Sequence, residues 1–325
     1  MNFKYSVDTE SSGKTVKYIL KNKLEFSQKL IRQLKYQNKI FLNGKSVFVN
    51  KIINKNDIIE VDMNLEEKSE GVIPEDIPIN IIYEDEALIA LNKQPGVIVH
   101  PTCNHSKGTL ANAISYHFAK NKVLRKIRPV MRLDRDTSGV IIFAKNSFSQ
   151  DFLIKQMNNN SFYKEYTGIV NGLVKTPHGT INFPISRKPG SIIERCTSSN
   201  GEPSVTHYKV IEHLKNATLL SFVLETGRTH QIRVHCESFG HPLLGDTLYN
   251  NLQNENLSLS EKKIFPLENC IITSKDFPSK ESVFIDRQAL HSSKAAFIHP
   301  VTKKLLQLTA PLPYDIKKLK EILRK

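Results

Sequence analysis

The stretch Met131-Arg132-Leu133-Asp134-Arg135-Asp136-Thr137-Ser138-Gly139, followed at once by Val140-Ile141-Ile142-Phe143-Ala144, constrains this chain more than any other. Two carboxylates and two guanidiniums fall within five residues, 132 to 136. Thr-Ser-Gly then closes the segment as a turn, and the apolar run reads as a buried strand. A charged loop anchored on a core strand can hold one carboxylate rigidly. The plainer reading is a solvated, salt-bridged turn in front of a strand, and residue types by themselves favour it.

Around this stretch lie 325 residues, enough for one large domain and one small one. The N-terminus, Met1-Asn2-Phe3-Lys4-Tyr5, lacks an apolar signal core, and no apolar run approaches the length of a membrane span. A cytoplasmic protein without a membrane part is expected. Cys103, Cys196, Cys236 and Cys270 lie far apart with no C-x-x-C, which argues against a zinc site and a disulfide framework. The formal net charge of +14 suits a polyanionic partner, most often nucleic acid. A generally lysine-rich composition would give the same total, so the distribution of charge has to decide.

Residues 1–62 carry 12 Lys and Arg against 6 Asp and Glu. A short helix is expected over Thr15 to Leu24. A second is capped by Ser27, with Leu30, Ile31 and Leu34 on its apolar face. Asn43-Gly44 predicts a hairpin between Ile40-Phe41-Leu42 and Val47-Phe48-Val49, and Asp57 to Val61 a further strand. Residues 63–77 read as a linker. Beyond it come a hairpin (Ile79 to Tyr83, Ala87 to Leu91), a Pro95-Gly96 turn, a helix over Gly108 to Lys120, and the central loop and strand. A helix over Asn146 to Asn158 and a strand at Lys164 to Gly172 follow. Lys93 at a strand end could meet a phosphate, although such a lysine is more often simply exposed. Residues 176–206 read as polar loop, and Val205 to Ile211 and Ala217 to Leu224 as paired strands. Thr229 is expected to cap a helix reaching about Phe239, with Arg233 one turn beyond His230 on the same face. His230 and His235 find no carboxylate or cysteine to complete a metal site. Residues 252–282 break all periodicity and read as a polar insertion. Gln288 to His291 and Phe297 to Pro300 suggest a hairpin, and Asp315 to Lys325 a basic amphipathic helix.

Three separated stretches, Arg132 to Gly139, Lys164-Glu165-Tyr166 and Thr226-Gly227-Arg228-Thr229-His230-Gln231-Ile232-Arg233-Val234-His235, resemble the signature segments of the ribosomal large-subunit-type RNA pseudouridine synthases. The flanks Tyr83 to Pro101, Gly240 to Asp246 and Arg287 to His291 agree, so the likeness runs from about 78 to 313. The two helices and hairpin of residues 1–62 resemble the S4-like RNA-binding domain, with Lys55-Asn56 where a glycine usually precedes Asp57. The resemblance implies an α+β protein: an S4-like domain over 1–62, a linker over 63–77, and a catalytic domain over 78–325 built on a mixed, mainly antiparallel sheet.

It implies a reaction as well: cleavage of a uridine N-glycosidic bond in folded RNA, rotation of the uracil and rejoining through C5, with no cofactor and no metal. Asp134 matches the family's catalytic aspartate, Arg233 the arginine that pairs with it, and Tyr166 the tyrosine that stacks on the uracil and is a candidate for moving a proton. Without the resemblance, Tyr166 reads as a core residue. Arg132 matches the arginine that enters the position vacated by the flipped base. Lys93, Arg228 and His230 are candidates for RNA contact or loop support. Met131 stands where the family usually has histidine, and activity is expected to survive it. Ribosomal RNA is the expected partner and a monomer the expected state, with transfer RNA an alternative substrate. A non-catalytic RNA-binding or ribosome assembly protein is the second class. A hydrolase using Asp134 and His230 is a third, and it lacks a nucleophile elbow or metal ligands.

Overall fold

The computed structural model describes residues 1–65, 67, 71–102, 105–121, 125–250 and 285–324. Its elements are β1 (Asn2–Ser6), α1 (Val16–Tyr18), which runs into a π-helical turn at Ile19–Lys23, α2 (Gln28–Tyr36), β2 (Ile40–Leu42), β3 (Lys45–Ser46), β4 (Ile58–Asp62), β5 (Ile81–Glu84), β6 (Leu88–Lys93), α3 (Leu110–Lys120), β7 (Arg128–Pro129) and β8 (Ser138–Ala144). There follow α4 (Ser147–Asn158), β9 (Tyr163–Asn171), β10 (His178–Ile181), β11 (Ile185–Arg187), β12 (Arg195–Thr197), β13 (Thr206–Leu214), β14 (Ala217–Leu224), α5 (Gln231–Ser238), β15 (Leu290–Ile298), β16 (Leu305–Thr309) and α6 (Tyr314–Arg324).

The N-terminal strands form a four-stranded sheet in the order β1-β4-β2-β3. Ser27 caps α2 by accepting the Leu30 N–H, and Leu30, Ile31 and Leu34 are buried beneath it. The hairpin turns at Asn43-Gly44 as expected, but its return strand is Lys45–Ser46. Val47 to Val49 lies beyond it, with the Val47 N–H still donating to the Ile40 carbonyl at 3.1 Å, and Asn43 and Asp57 tie the turn to β4. This unit packs on α4 through an edge-to-face cluster of Phe3, Phe26 and Phe148, with centroids 4.9 to 5.3 Å apart.

The main sheet runs β10-β13-β14-β9-β15-β8-β6-β5, with β16 against β15 and β7 against β8. It is mixed and mainly antiparallel: among the described residues β8 and β15 form its parallel pair. All seven residues of β8 are buried, as its unbroken apolar run requires of a central strand covered on both faces. Where β15 passes closest, Gly139 takes φ 108°, and a Cβ there would run into the Ser292 carbonyl. The first turn of α3 is fixed by a reciprocal bond between Thr109 and Asn112.

Two expectations change. Residues 176–206 hold strand β10, paired to β13, and the ribbon β11–β12. Strands of three or four residues are too short for alternation to stand out from the polar sequence around them. Gln288 to His291 and Phe297 to Pro300 do not face each other as a hairpin; Leu290–Ile298 is one strand, and it turns back on β16. The polar insertion expected at 252–282 lies outside the described residues. No described helix is long and apolar enough to cross a membrane.

Candidate active site

The loop that precedes β8 is held from beneath by two buried cations. Lys93, at the end of β6, is 1% exposed. Its Nζ donates to the carbonyls of Gln94 (3.0 Å), Arg135 (2.6 Å) and Thr137 (2.9 Å). The Arg287 guanidinium takes the intervening carbonyl of Asp136 at 2.9 Å and is itself paired with Asp315, on α6, at 2.7 Å. Three consecutive carbonyls, 135 to 137, are thereby tied down, and the Thr137 N–H returns to the Asp134 carbonyl at 3.2 Å. Of the two roles expected for Lys93, RNA contact or loop support, these bonds favour the second. A lysine at a strand end is exposed only if nothing folds over it, and here the charged loop does. Burial pushes the Lys93 ammonium down to about 7, although only its protonated form carries a hydrogen for each of the three carbonyls.

On this loop the Asp134 side chain faces α5. Arg233 donates from Nη1 to Asp134 Oδ2 at 3.3 Å. The same guanidinium grips Asp246 with its other two nitrogens, Nε to Oδ2 at 2.7 Å and Nη2 to Oδ1 at 2.8 Å. Asp246 also accepts the backbone N–H groups of Leu248 and Tyr249. Arg233 is therefore aimed by a buried carboxylate, and its spare nitrogen fixes one oxygen of the exposed-side carboxylate. The Tyr249 ring lies under the guanidinium, 4.9 Å from centroid to carbon.

Thr229 does not cap α5. The cap position is His230, in left-handed conformation with φ 58° and without a side-chain cap bond. Gln231 takes over locally: its Oε1 accepts the Arg228 N–H and its Nε2 donates to the Val205 carbonyl. This turn brings both His230 and Arg233 to Asp134, with His230 Nε2 4.0 Å from Asp134 Oδ1. Arg228 pairs with Glu202 and reaches the Pro203 carbonyl, bracing the neighbouring loop. Both ring nitrogens of His235 are engaged, by Thr206 and the Phe183 carbonyl, so it has none left for a metal.

Tyr166, on β9 between β14 and β15, is buried in the main core and still feels the Asp134 charge. Burial first, then that negative charge, raises its phenol pKa well above the ordinary value. Arg132 is exposed and held by one 3.3 Å bond to the Thr229 hydroxyl. Asp136 pairs with Arg135 and not with Arg132. Met131 packs in the main apolar core.

Sequence reading missed Asp246, Tyr249 and Arg287 as parts of this arrangement. Asp246 and Arg287 lie in the flanking segments that carried the resemblance, which was the available signal. Nothing in the residue types said that they converge here.

A family model described as RNA pseudouridylate synthase matches residues 87–238, and one described as RluD ribosomal pseudouridine synthase N-terminal domain matches residues 3–59. The RNA pseudouridine synthase YjbO of Bacillus subtilis is 36% identical over 91% of this chain and 95% of its own length. Ribosomal large subunit pseudouridine synthase D of Buchnera aphidicola, from Schizaphis graminum, is 35% identical over 97% of this chain and 95% of its own. Human RNA Pseudouridylate Synthase Domain Containing 4 shares the fold, with a TM-score of 0.55 and 23% identity over 75% of this chain and 93% of that one.

Proposed function

The chain belongs to the RNA pseudouridylate synthase family, and we propose that its substrate is ribosomal RNA, with Asp134 as the nucleophilic carboxylate. It is an RNA isomerase that turns uridine into pseudouridine. The RNA target is inferred from the names of relatives that act on the large ribosomal subunit and from the basic N-terminal unit. That unit, residues 1–62, serves as an S4-like anchor adding affinity through phosphate contacts. Residues 78–325 are the catalytic domain and 63–77 the connection. A cytoplasmic location goes with a ribosomal substrate, and a monomer is the state this reading takes.

One observation carries the assignment of roles. Asp134 has one oxygen fixed by Arg233, while Oδ1 accepts no hydrogen bond among the described residues. A nucleophile needs this division, with one atom for position and one for attack. Arg233 is a positioning group, since two carboxylates share its single charge. Tyr166, kept as the neutral phenol, offers a flat face to the uracil and a proton that can be moved in the glycosidic step. The duplex hides the base, so it is flipped out. Arg132, flat and held by a single weak bond, is free to enter the vacated stack.

The test is tritium release from [5-³H]uridine-labelled ribosomal and transfer RNA, comparing wild type with Asp134→Asn. Release by wild type from ribosomal RNA, lost in the variant with RNA binding retained, is the expected result. Full release by Asp134→Asn removes the nucleophile assignment, and release from transfer RNA alone moves the substrate.

A further inference from the structure

His230 sits beside Asp134, and its hydrogen bonds define which ring nitrogen carries the proton. Tyr249 Oη accepts the backbone N–H of Arg195 at 2.8 Å, and a backbone amide can only donate. The phenol's own proton is then left for His230 Nδ1, 2.8 Å away. Tyr249 is 3% exposed, and the reverse arrangement would leave that proton without an acceptor among the described residues. Nδ1 is therefore the acceptor, and the hydrogen of the neutral imidazole is on Nε2.

Neutrality follows from the surroundings. Burial, above all, lowers the imidazole pKa; the charges of Arg233 and Arg195 act the same way, and Asp134 opposes them. Nε2 lies 4.0 Å from Asp134 Oδ1, too far for a hydrogen bond. An oriented N–H donor and an untied carboxylate oxygen thus sit next to each other, each without a described hydrogen-bond partner.

We propose that His230 is a further catalytic residue, donating from Nε2–H to a carbonyl oxygen of the departing uracil. The proposal rests on the reading of Asp134 as the nucleophile. When the C1′–N1 bond breaks, its electron pair leaves with the base and spreads over N1 and the two carbonyl oxygens. A fixed donor near the reacting oxygen of Asp134 meets that charge where it develops, and Tyr249 keeps the donor aimed. His230 gives up no proton in this step, so it ends the step as it began. Arg195 and Tyr249 act through it as positioning residues.

The experiment compares single-turnover rearrangement of uridine and 5-fluorouridine at the target position of the same RNA, read as rearranged nucleoside after nuclease digestion. Fluorine withdraws electron density and makes the base a better leaving group, so it needs less help from a donor. His230→Ala is expected to slow uridine rearrangement about 10²-fold and fluorouridine distinctly less, with KM changed only a few-fold. His230→Gln, which keeps an N–H donor, should recover part of the rate, and Tyr249→Phe should show the same base-dependent pattern more weakly. A merely structural role would slow both bases alike; that result, or no slowing at all, overturns the proposal. Asp134→Asn separates the two readings. If that variant is inactive while His230→Ala slows both bases equally, only the His230 proposal fails; if Asp134→Asn is active, the underlying assignment fails.

Discussion

Replacing Lys93 by methionine should cost both stability and rate, and the structure gives the scale. The side chain keeps its length and loses its three donors, so the carbonyls of Gln94, Arg135 and Thr137 are left facing an apolar group. Each buried acceptor left unpaired costs roughly 1–3 kcal/mol. Methionine also escapes the desolvation that a buried ammonium suffers, which offsets part of the loss. A net destabilisation of about 2–4 kcal/mol is the expected outcome, the roughly 3–9 kcal/mol of three unpaired acceptors less the relieved desolvation. With Asp134 as the proposed nucleophile, the rate should fall further than folding alone explains, because the loop carrying it is released, and a shift of about 1 Å at a reacting atom can cost about 10²-fold. Thermal unfolding gives the first quantity, and single-turnover tritium release well below the melting temperature gives the second. Wild-type lysine also predicts how the two respond to pH. Its folded pKa of about 7 lies below the ordinary 10.5, so the unfolded chain holds more protons between those values. Stability contributed by this group therefore grows as pH rises across that window, by at most about 1.4 kcal/mol per pH unit. The loop responds in the opposite sense, because the neutral amine can serve only two of its three carbonyls. Rising melting temperature with falling rate above pH 7 is expected in wild type, and neither trend from this source in Lys93→Met. A variant with unchanged melting temperature and rate would refute the support role.

Two further outcomes follow from the same contacts. Asp246→Asn keeps the shape but removes the charge that aims Arg233. It should lower kcat about 10²-fold with little change in KM; a fall in RNA affinity with kcat intact would show that Asp246 acts on binding instead. Met131→His places an imidazole where a thioether packs in the core. It should leave the rate within a few-fold and lower the melting temperature, and a large gain in rate would mean that the methionine is a catalytic defect.

The sequence made the strands and their partners legible wherever an apolar run was long. β8, β9, β13 and β14 stand within a few residues of their expected bounds. Caps with a side chain to offer were legible too, Ser27 among them. The start of α5 was not, because His230 adopts a left-handed backbone there without a side-chain cap, and the Gln231 amide ties down the preceding turn instead. The resemblance marked Asp134 and Arg233, and the fold supplies the reason that they meet: Asp134 precedes β8, Arg233 sits on α5, and 99 residues separate them. What the sequence hid was the support. Lys93 reads as a surface lysine because burial of an ammonium depends on a loop 42 residues away folding over it. Asp246 reads as a turn residue because only the tertiary structure shows it facing a guanidinium.

The pairing of charges around Asp134 decides what kind of group it is. A lone arginine facing a lone aspartate would form a neutral pair, with the carboxylate's electrons committed to the partner. Here Arg233 commits Nε and Nη2 to Asp246 and has Nη1 for Asp134. Two negative charges share one positive charge, so the cluster keeps a net charge of −1 near Asp134. Lys93 feels the Asp134 charge from beneath the loop but makes its hydrogen bonds to carbonyls, and Arg287 is paired with Asp315. Asp134 is therefore located by a charged hydrogen bond from an arginine whose charge it shares with Asp246. That arrangement suits the nucleophile role proposed for Asp134, which asks the carboxylate to supply electrons to the sugar or the base. It also sets a requirement on the rest of the chain, since a negatively charged centre repels a polyanion. The attraction that brings RNA to this site must come from cations outside the cluster, and the formal net charge of +14 is the reserve from which it is drawn.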